Sequence, residues 1–199
     1  WAQGGNRILW DGPEYLLKAL QQYYIKTNRG RFTANAMSAW FFGEAFTILT
    51  IPKHEQPASR IISTSAGRNF DGCRIGFDLG GSDRKCAALI EGNVIFTEEV
   101  PWNPYFQSDP TYHIQGISEI LLLAAKMLPR VDAIGGSSAG VFMNNETCFS
   151  SLFRGLSQKN FEGHARRIFI NLQAKWNQIP FMIMNDGDVT ALAGSIALD

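Results

Sequence analysis

From Cys73 onward, short apolar runs alternate with glycine- or proline-marked breaks, and the spacing of the apolar positions changes along the chain. Arg74–Leu79 predicts a strand, Gly80-Gly81 a turn, and Lys85–Glu91 a second strand. Gly92-Asn93 makes a tight connection to a third strand over Val94–Val100. Asp109-Pro110 then caps a long helix that carries Ile114, Ile117, Leu121, Ala124 and Leu128 on one face. Val131–Gly135 reads as a short buried strand, residues 160–176 as helix, and Pro180–Met184 as a strand that is apolar after its proline. Asp186 or Asp188 starts a last helix. The order is β-β-β-α-β-α-β-α. Two hairpin connections followed by two right-handed crossovers predict a mixed five-stranded α/β sheet with helices on its faces.

Residues 1–70 follow another pattern and read as an appendage to a domain over 71–199. Asp11 is an expected N-cap, Pro13 stands in the first turn, and Leu16, Leu17, Leu20, Tyr23 and Tyr24 follow at helical spacing. Asn28-Arg29-Gly30 is expected to stop that helix. A second helix is predicted over 34–42, a strand over 46–51, and a polar loop over 52–59. The low charge and many aromatics of this segment suggest that it packs on something.

Three segments carry candidate chemistry. In Asp78-Leu79-Gly80-Gly81-Ser82-Asp83-Arg84-Lys85 a carboxylate ends a strand and two glycines follow. Glycines let backbone amides approach phosphate oxygens, and Asp78 at the mouth can hold Mg²⁺ through water. Ser82 and Lys85 add a hydroxyl and a positive charge. A plain hairpin turn needing glycine for positive φ explains the same residues. Asn185-Asp186 ends an apolar strand, where open α/β sheets bind ligands, and Asp186 is placed to accept a substrate proton. Asp186 or Asp188 acting only as a helix cap is the alternative. Gly135-Gly136-Ser137-Ser138-Ala139-Gly140, followed by Asn144-Asn145, offers amides and hydroxyls after a buried strand, or is a simple connection. All three loops leave the predicted sheet on one side, around one cleft.

Composition narrows the picture. The chain of 199 residues has 18 Lys plus Arg and 18 Asp plus Glu, so net charge does not favour nucleic acid as a partner. Cys73, Cys86 and Cys148, like His54, His113 and His164, lack metal-site spacing, and reduced thiols point to a cytoplasmic protein. No apolar run reaches the roughly 18 residues of a membrane span. The first residue is Trp1 and the last nine read as an unfinished helix, so a fragment is expected.

The element order resembles the ribonuclease H-like fold, which actin, the seventy-kilodalton chaperones and the sugar kinases use twice; one copy fits here. Asp78-Leu79-Gly80-Gly81-Ser82 resembles the first phosphate motif of the ROK family of sugar kinases and repressors, with Ser for the usual Thr. Asn185-Asp186 followed by Ala191-Leu192-Ala193 resembles that family's Asn-Asp segment. Gly135–Gly140 is similar to its sugar-side loop, with Ala139 where Pro is usual. The resemblance covers residues 73–199. It implies ATP and Mg²⁺ as cofactors and a sugar hydroxyl as phosphoryl acceptor. It also implies Asp186 as general base, and a sugar bound by Asn185, Ser137, Ser138, Gly140 and Asn144. The phosphates would lie against Gly80, Gly81, Ser82 and Lys85. The family's second phosphate loop, adenosine-binding glycines and zinc segment lie in a second lobe that these residues do not contain, so the fragment alone is expected to be inactive. A sugar- or nucleotide-sensing module without turnover is the competing reading, and a homodimer is left open.

Overall fold

The computed structural model describes residues 5–58 and 69–198, which fall into two compact units, 1–64 and 65–199. The ends of the predicted 1–70 appendage, including residue 59 of its polar loop, lie partly outside the described residues.

In the first unit, β1 (Arg7–Trp10) pairs in parallel with β2 (Thr47–Thr50). The sequence pattern points to the second of these strands but not the first, although each is four residues long. Helix α1 (Glu14–Lys26) is preceded by Pro13 and has no side-chain cap; Asp11 instead accepts a hydrogen bond from Gln56 Nε2 at 2.9 Å. The expected stop at Asn28–Gly30 is a restart. Thr27 is extended and its hydroxyl accepts from the Gly30 amide at 2.9 Å, which caps α2 (Asn28–Asn35). A π-helical segment, Ala36–Phe42, continues it to Gly43, whose positive φ of 67° ends the run.

The second unit is built on five strands. Strands β3 (Cys73–Leu79), β4 (Asp83–Ile90) and β5 (Asn93–Pro101) form two antiparallel hairpins. Glu91 and Gly92, with φ of 48° and 78°, make the second turn, as a two-residue turn between twisted strands requires. Helix α3 (Pro110–Ala125) follows, with Asp109 accepting from the Thr111 amide at 2.8 Å as N-cap. Then β6 (Ala133–Ser138) lies parallel to β3.

A small hairpin, β7 (Val141–Met143) with β8 (Glu146–Phe149), stands where a loop was expected; Asn144 and Asn145 turn it with φ of 52° and 63°. The predicted helix over 160–176 is broken into a single turn α4 (Gln158–Asn160), a π segment Phe161–Ala165, and α5 (Ile168–Lys175). Strand β9 (Phe181–Asn185), parallel to β6, leads straight into α6 (Asp186–Leu198). The strand order β5-β4-β3-β6-β9, two antiparallel pairings followed by two parallel ones, is a ribonuclease H-like sheet.

Residue parity decides the two faces of this sheet. Cys73, Ile75, Phe77 and Leu79 of β3 are buried, and the residues between them are not. Buried His113, Gly116, Ile117, Ile120, Leu121 and Ala124 repeat along α3 at three and four residues. With Phe169 and Leu172 of α5 they close one continuous core on that face. On the other face, a side chain at Gly76 or Gly135 would touch nothing within 4 Å, and Met182 is 57% exposed.

Candidate functional site

The candidate residues gather where the parallel strands end. Register sets Asp78 beside Ser137 on β6 and opposite Lys85 on β4, and it sets Ser138 beside Asn185 on β9. Ser137 Oγ donates to Asp78 Oδ1 at 2.5 Å. The next residue on each strand points the other way. Ser138 is fully buried, and its hydroxyl donates to the Leu79 carbonyl at 3.2 Å. Ser137 therefore shares the open face with Asp78, while Ser138 braces β3 against β6 from the core side.

The turn after β3 is closed by the Gly80 amide donating to the Asp83 carbonyl at 2.9 Å. Trp102 holds its two outward carbonyls: its indole donates to Gly80 at 2.8 Å and its amide to Ser82 at 2.9 Å. Among the described residues the Gly81 and Ser82 amides have no acceptor, which leaves two backbone donors for an anion. Neither Gly80 nor Gly81 has a positive φ. Gly81 is glycine for space, because a Cβ there would run into the Tyr105 hydroxyl. The hairpin explanation from backbone freedom is thus replaced by one from close approach.

Lys85 lies on the open face but is held by two carboxylates, Asp83 Oδ1 at 3.3 Å and Glu99 Oε2 at 3.7 Å. The Asp83 carboxylate, then Glu99, raises the Lys85 pKa. The Ser82 hydroxyl, donating at 2.8 Å, and then Lys85 lower that of Asp83. Gly76, Asp78, Lys85, Ala87, Thr97 and Glu99 line a groove of about 590 Å³ along this face.

At the end of β9, Asn185 is the helix cap. Its Oδ1 accepts from the Gly187 amide at 2.8 Å, and its Nδ2 donates to the Gly140 carbonyl at 2.8 Å. Asn185 stands at the N-cap position and shares the Gly187 amide with Asp186, and Asp188 makes no cap hydrogen bond among the described residues. Asp186 is exposed in the first turn, and its Oδ1 accepts from the Gly187 amide at 2.9 Å. Carboxylates at a helix N-terminus suit the macrodipole. Gly140 has no room for a side chain, since a Cβ would lie 2.5 Å from the Phe149 carbonyl.

Asn144 is not brought to this end. It sits at the tip of the β7–β8 hairpin, whose Asn145 pairs with the far end of β9. Asn145 Nδ2 donates to the Phe181 carbonyl at 2.7 Å, and the Ile183 amide donates to Asn145 Oδ1 at 3.0 Å. Four residues of strand, about 13 Å, separate Phe181 from Asn185. The sequence reading passed over Trp102 and Tyr105, although the aromatic run Trp102-Asn103-Pro104-Tyr105-Phe106 directly after a strand was a visible signal. No group of three or more potential metal ligands occurs among the described residues, and no helix among them is long and apolar enough to cross a membrane.

The fold defines an α/β domain of ribonuclease H-like type, with two backbone amides lacking an acceptor among the described residues in the turn after β3. Solved structures similar to it include the inorganic polyphosphate/ATP-glucomannokinase of Arthrobacter sp. strain KM, at 18% identity and a TM-score of 0.47 over 62% of this chain. The ROK hexokinase of Thermus thermophilus is 18% identical with a TM-score of 0.44 over 61%. A ROK family transcriptional regulator, a homologue of the E. coli MLC protein, is 16% identical with a TM-score of 0.42 over 64%. The chain spans 47%, 36% and 31% of those proteins respectively. No protein-family model and no curated protein sequence matches the chain.

Proposed function

We propose that the whole protein transfers a phosphoryl group from ATP to a sugar hydroxyl, and that this chain carries the phosphate turn and the general base. The supporting observation is the convergence of Asp78 and Asn185-Asp186 at one end of the sheet, with Ser137 hydrogen-bonded to Asp78 on the strand between them. Gly81 and Ser82 amides would take the phosphate oxygens, with the turn kept in shape by Trp102. Asp186, with one oxygen on Gly187 and the other facing no donor among the described residues, would accept the hydroxyl proton. Asn185 would act mainly by fixing the sugar-side loop to the start of α6. In this chemistry catalysis is largely positioning and charge stabilisation.

Asp78 suits Mg²⁺: one oxygen is oriented by Ser137, and a single carboxylate with waters and phosphate is how that ion is usually held. When bound, the ion would offset charge on the transferring phosphate.

The test is steady-state kinetics of the full-length protein across hexoses and N-acetylhexosamines. Asp186→Asn should lower kcat roughly 10²–10⁴-fold with a much smaller change in KM, while Asp188→Asn retains most activity. Near-normal kcat in Asp186→Asn removes that residue from the mechanism. The sensing module is the second reading, favoured by the two carboxylates that neutralise Lys85 beside the turn. Tight sugar or nucleotide binding without turnover by the full-length protein would select it.

A further inference from the structure

Three cations stand at the Gly80–Ser82 turn or on the segments pressed against it, and two are already spent. Arg84 is buried on the core face, paired with Glu119 and lying over Trp102 at 5.6 Å. Lys85 is shared between Asp83 and Glu99. Arg154 differs from both. It is exposed and has no carboxylate partner among the described residues, and its guanidinium lies 3.9 Å from the centre of the Tyr105 ring and 5.3 Å from that of Phe106.

Tyr105 links that guanidinium to the turn, because its hydroxyl fills the space a side chain at Gly81 would need. The placement is built in several ways. A Cβ at Gly155 would lie 2.7 Å from the Gln107 carbonyl and 2.9 Å from that of Tyr105, so the 154–155 backbone is packed directly on the aromatic loop. His113, fully buried, places Nε2 3.1 Å from the Pro104 carbonyl and 3.0 Å from that of Leu152, and its single N–H joins the two segments. Trp102 then ties the same loop to Gly80 and Ser82. A cation–π contact engages none of a guanidinium's N–H groups in a hydrogen bond, and the edges they form match the geometry of phosphate oxygens.

We propose that Arg154 is a phosphoryl-binding residue of the Gly81–Ser82 cradle, supplying the positive charge that Lys85 does not. This rests on the reading of that turn as a phosphate site. The cradle supplies only neutral donors, so an arginine beside it with no carboxylate partner among the described residues is what would favour a multiply charged phosphate over a neutral ligand.

Calorimetric titration of the full-length protein with Mg-ATP, with inorganic tripolyphosphate and with glucuronate at low ionic strength tests it. Arg154→Ala should weaken both by roughly 10-fold or more, and Arg154→Lys by less, since lysine keeps charge but not the fork. Lys126→Ala, which removes the same charge from the far end of α3, should stay within about twofold. Thermal melts of each variant confirm that the fold is retained. If Arg154→Ala binds both ligands as the wild type does while Gly81→Val abolishes binding, the turn stands and the role of Arg154 falls. Should Arg154→Ala lose affinity only for an acidic sugar such as glucuronate, the residue belongs to the acceptor side and the proposal is overturned. A full-length wild type that binds neither phosphate ligand removes the phosphate turn and Arg154 together.

Discussion

Successive residues of β3 lead different lives. Ile75, Phe77 and Leu79 lie under α3 and α5 in a continuous core, whereas Gly76 and Asp78 line an open groove. The same division recurs on β6, where Ser138 is buried and Ser137 reaches Asp78, and on β4, where Cys86 and Ala88 are buried and Lys85 is exposed. One face therefore holds the sheet together and the other carries the candidate chemistry. Because a strand's side chains alternate, the two tasks are assigned to neighbouring residues without competing for the same space.

The sharpest way to break this comparison is to truncate one residue on each face at adjacent positions. Phe77 is 5% exposed, packs near the rings of Phe169 and Phe181, and lies so close to Gly136 that no side chain fits there. Phe77→Ala should cost about 3–5 kcal/mol in urea unfolding. Asp78→Asn keeps an acceptor for Ser137 and should change stability by less than about 1 kcal/mol, while weakening Mg-ATP binding. Equal destabilisation by the two substitutions would show that the faces are not independent.

A smaller effect sharpens the division at the serine pair. Ser138→Ala removes a fully buried hydroxyl that donates to Leu79, and should cost about 1 kcal/mol. Ser137→Ala should leave stability within about 0.5 kcal/mol and act on ligand binding instead. Reversed outcomes in paired unfolding and titration experiments would exchange the roles of the two hydroxyls.

The smallest expected effect is a slope with pH, confined to the covered face. Burial first of all lowers the His113 pKa from 6.5, against the opposing pull of its hydrogen bonds to Leu152 and Pro104. The unfolded chain then binds the proton more readily than the folded one. Stability contributed by neutral His113 is present above about pH 6.5 and declines as pH falls toward the lowered value. Melting temperatures from pH 7.5 to 5 should show this decline, and His113→Gln should flatten it. An unchanged slope in that variant would assign it to other groups.

Much of this architecture was legible beforehand because its signals are local. Alternation in Arg74–Leu79, the Asp109-Pro110 cap and the apolar stretch before Asn185 follow from backbone geometry and side-chain chemistry within a few residues. They yielded the five strands in their order and the end of the sheet where the candidate residues meet. The restart at Thr27, the break before Ile168 and the β7–β8 hairpin were not legible, because each depends on a partner distant in sequence or on a single turn's hydrogen bonds.

At the candidate site the same boundary holds. Residue types at 78, 80–82 and 185–186 could be read from motif and position. That Gly81 is small because of Tyr105, that Asn185 ties the start of α6 to the Gly140 carbonyl, and that Lys85 is also bound by Glu99 across the β4–β5 hairpin were decided by the tertiary structure. So was the position of Arg154, 3.9 Å from an aromatic ring 49 residues earlier in the chain (154 − 105). Local preference specifies which way a residue points; only the folded chain determines what it then meets, since those contacts join segments that no short-range pattern connects.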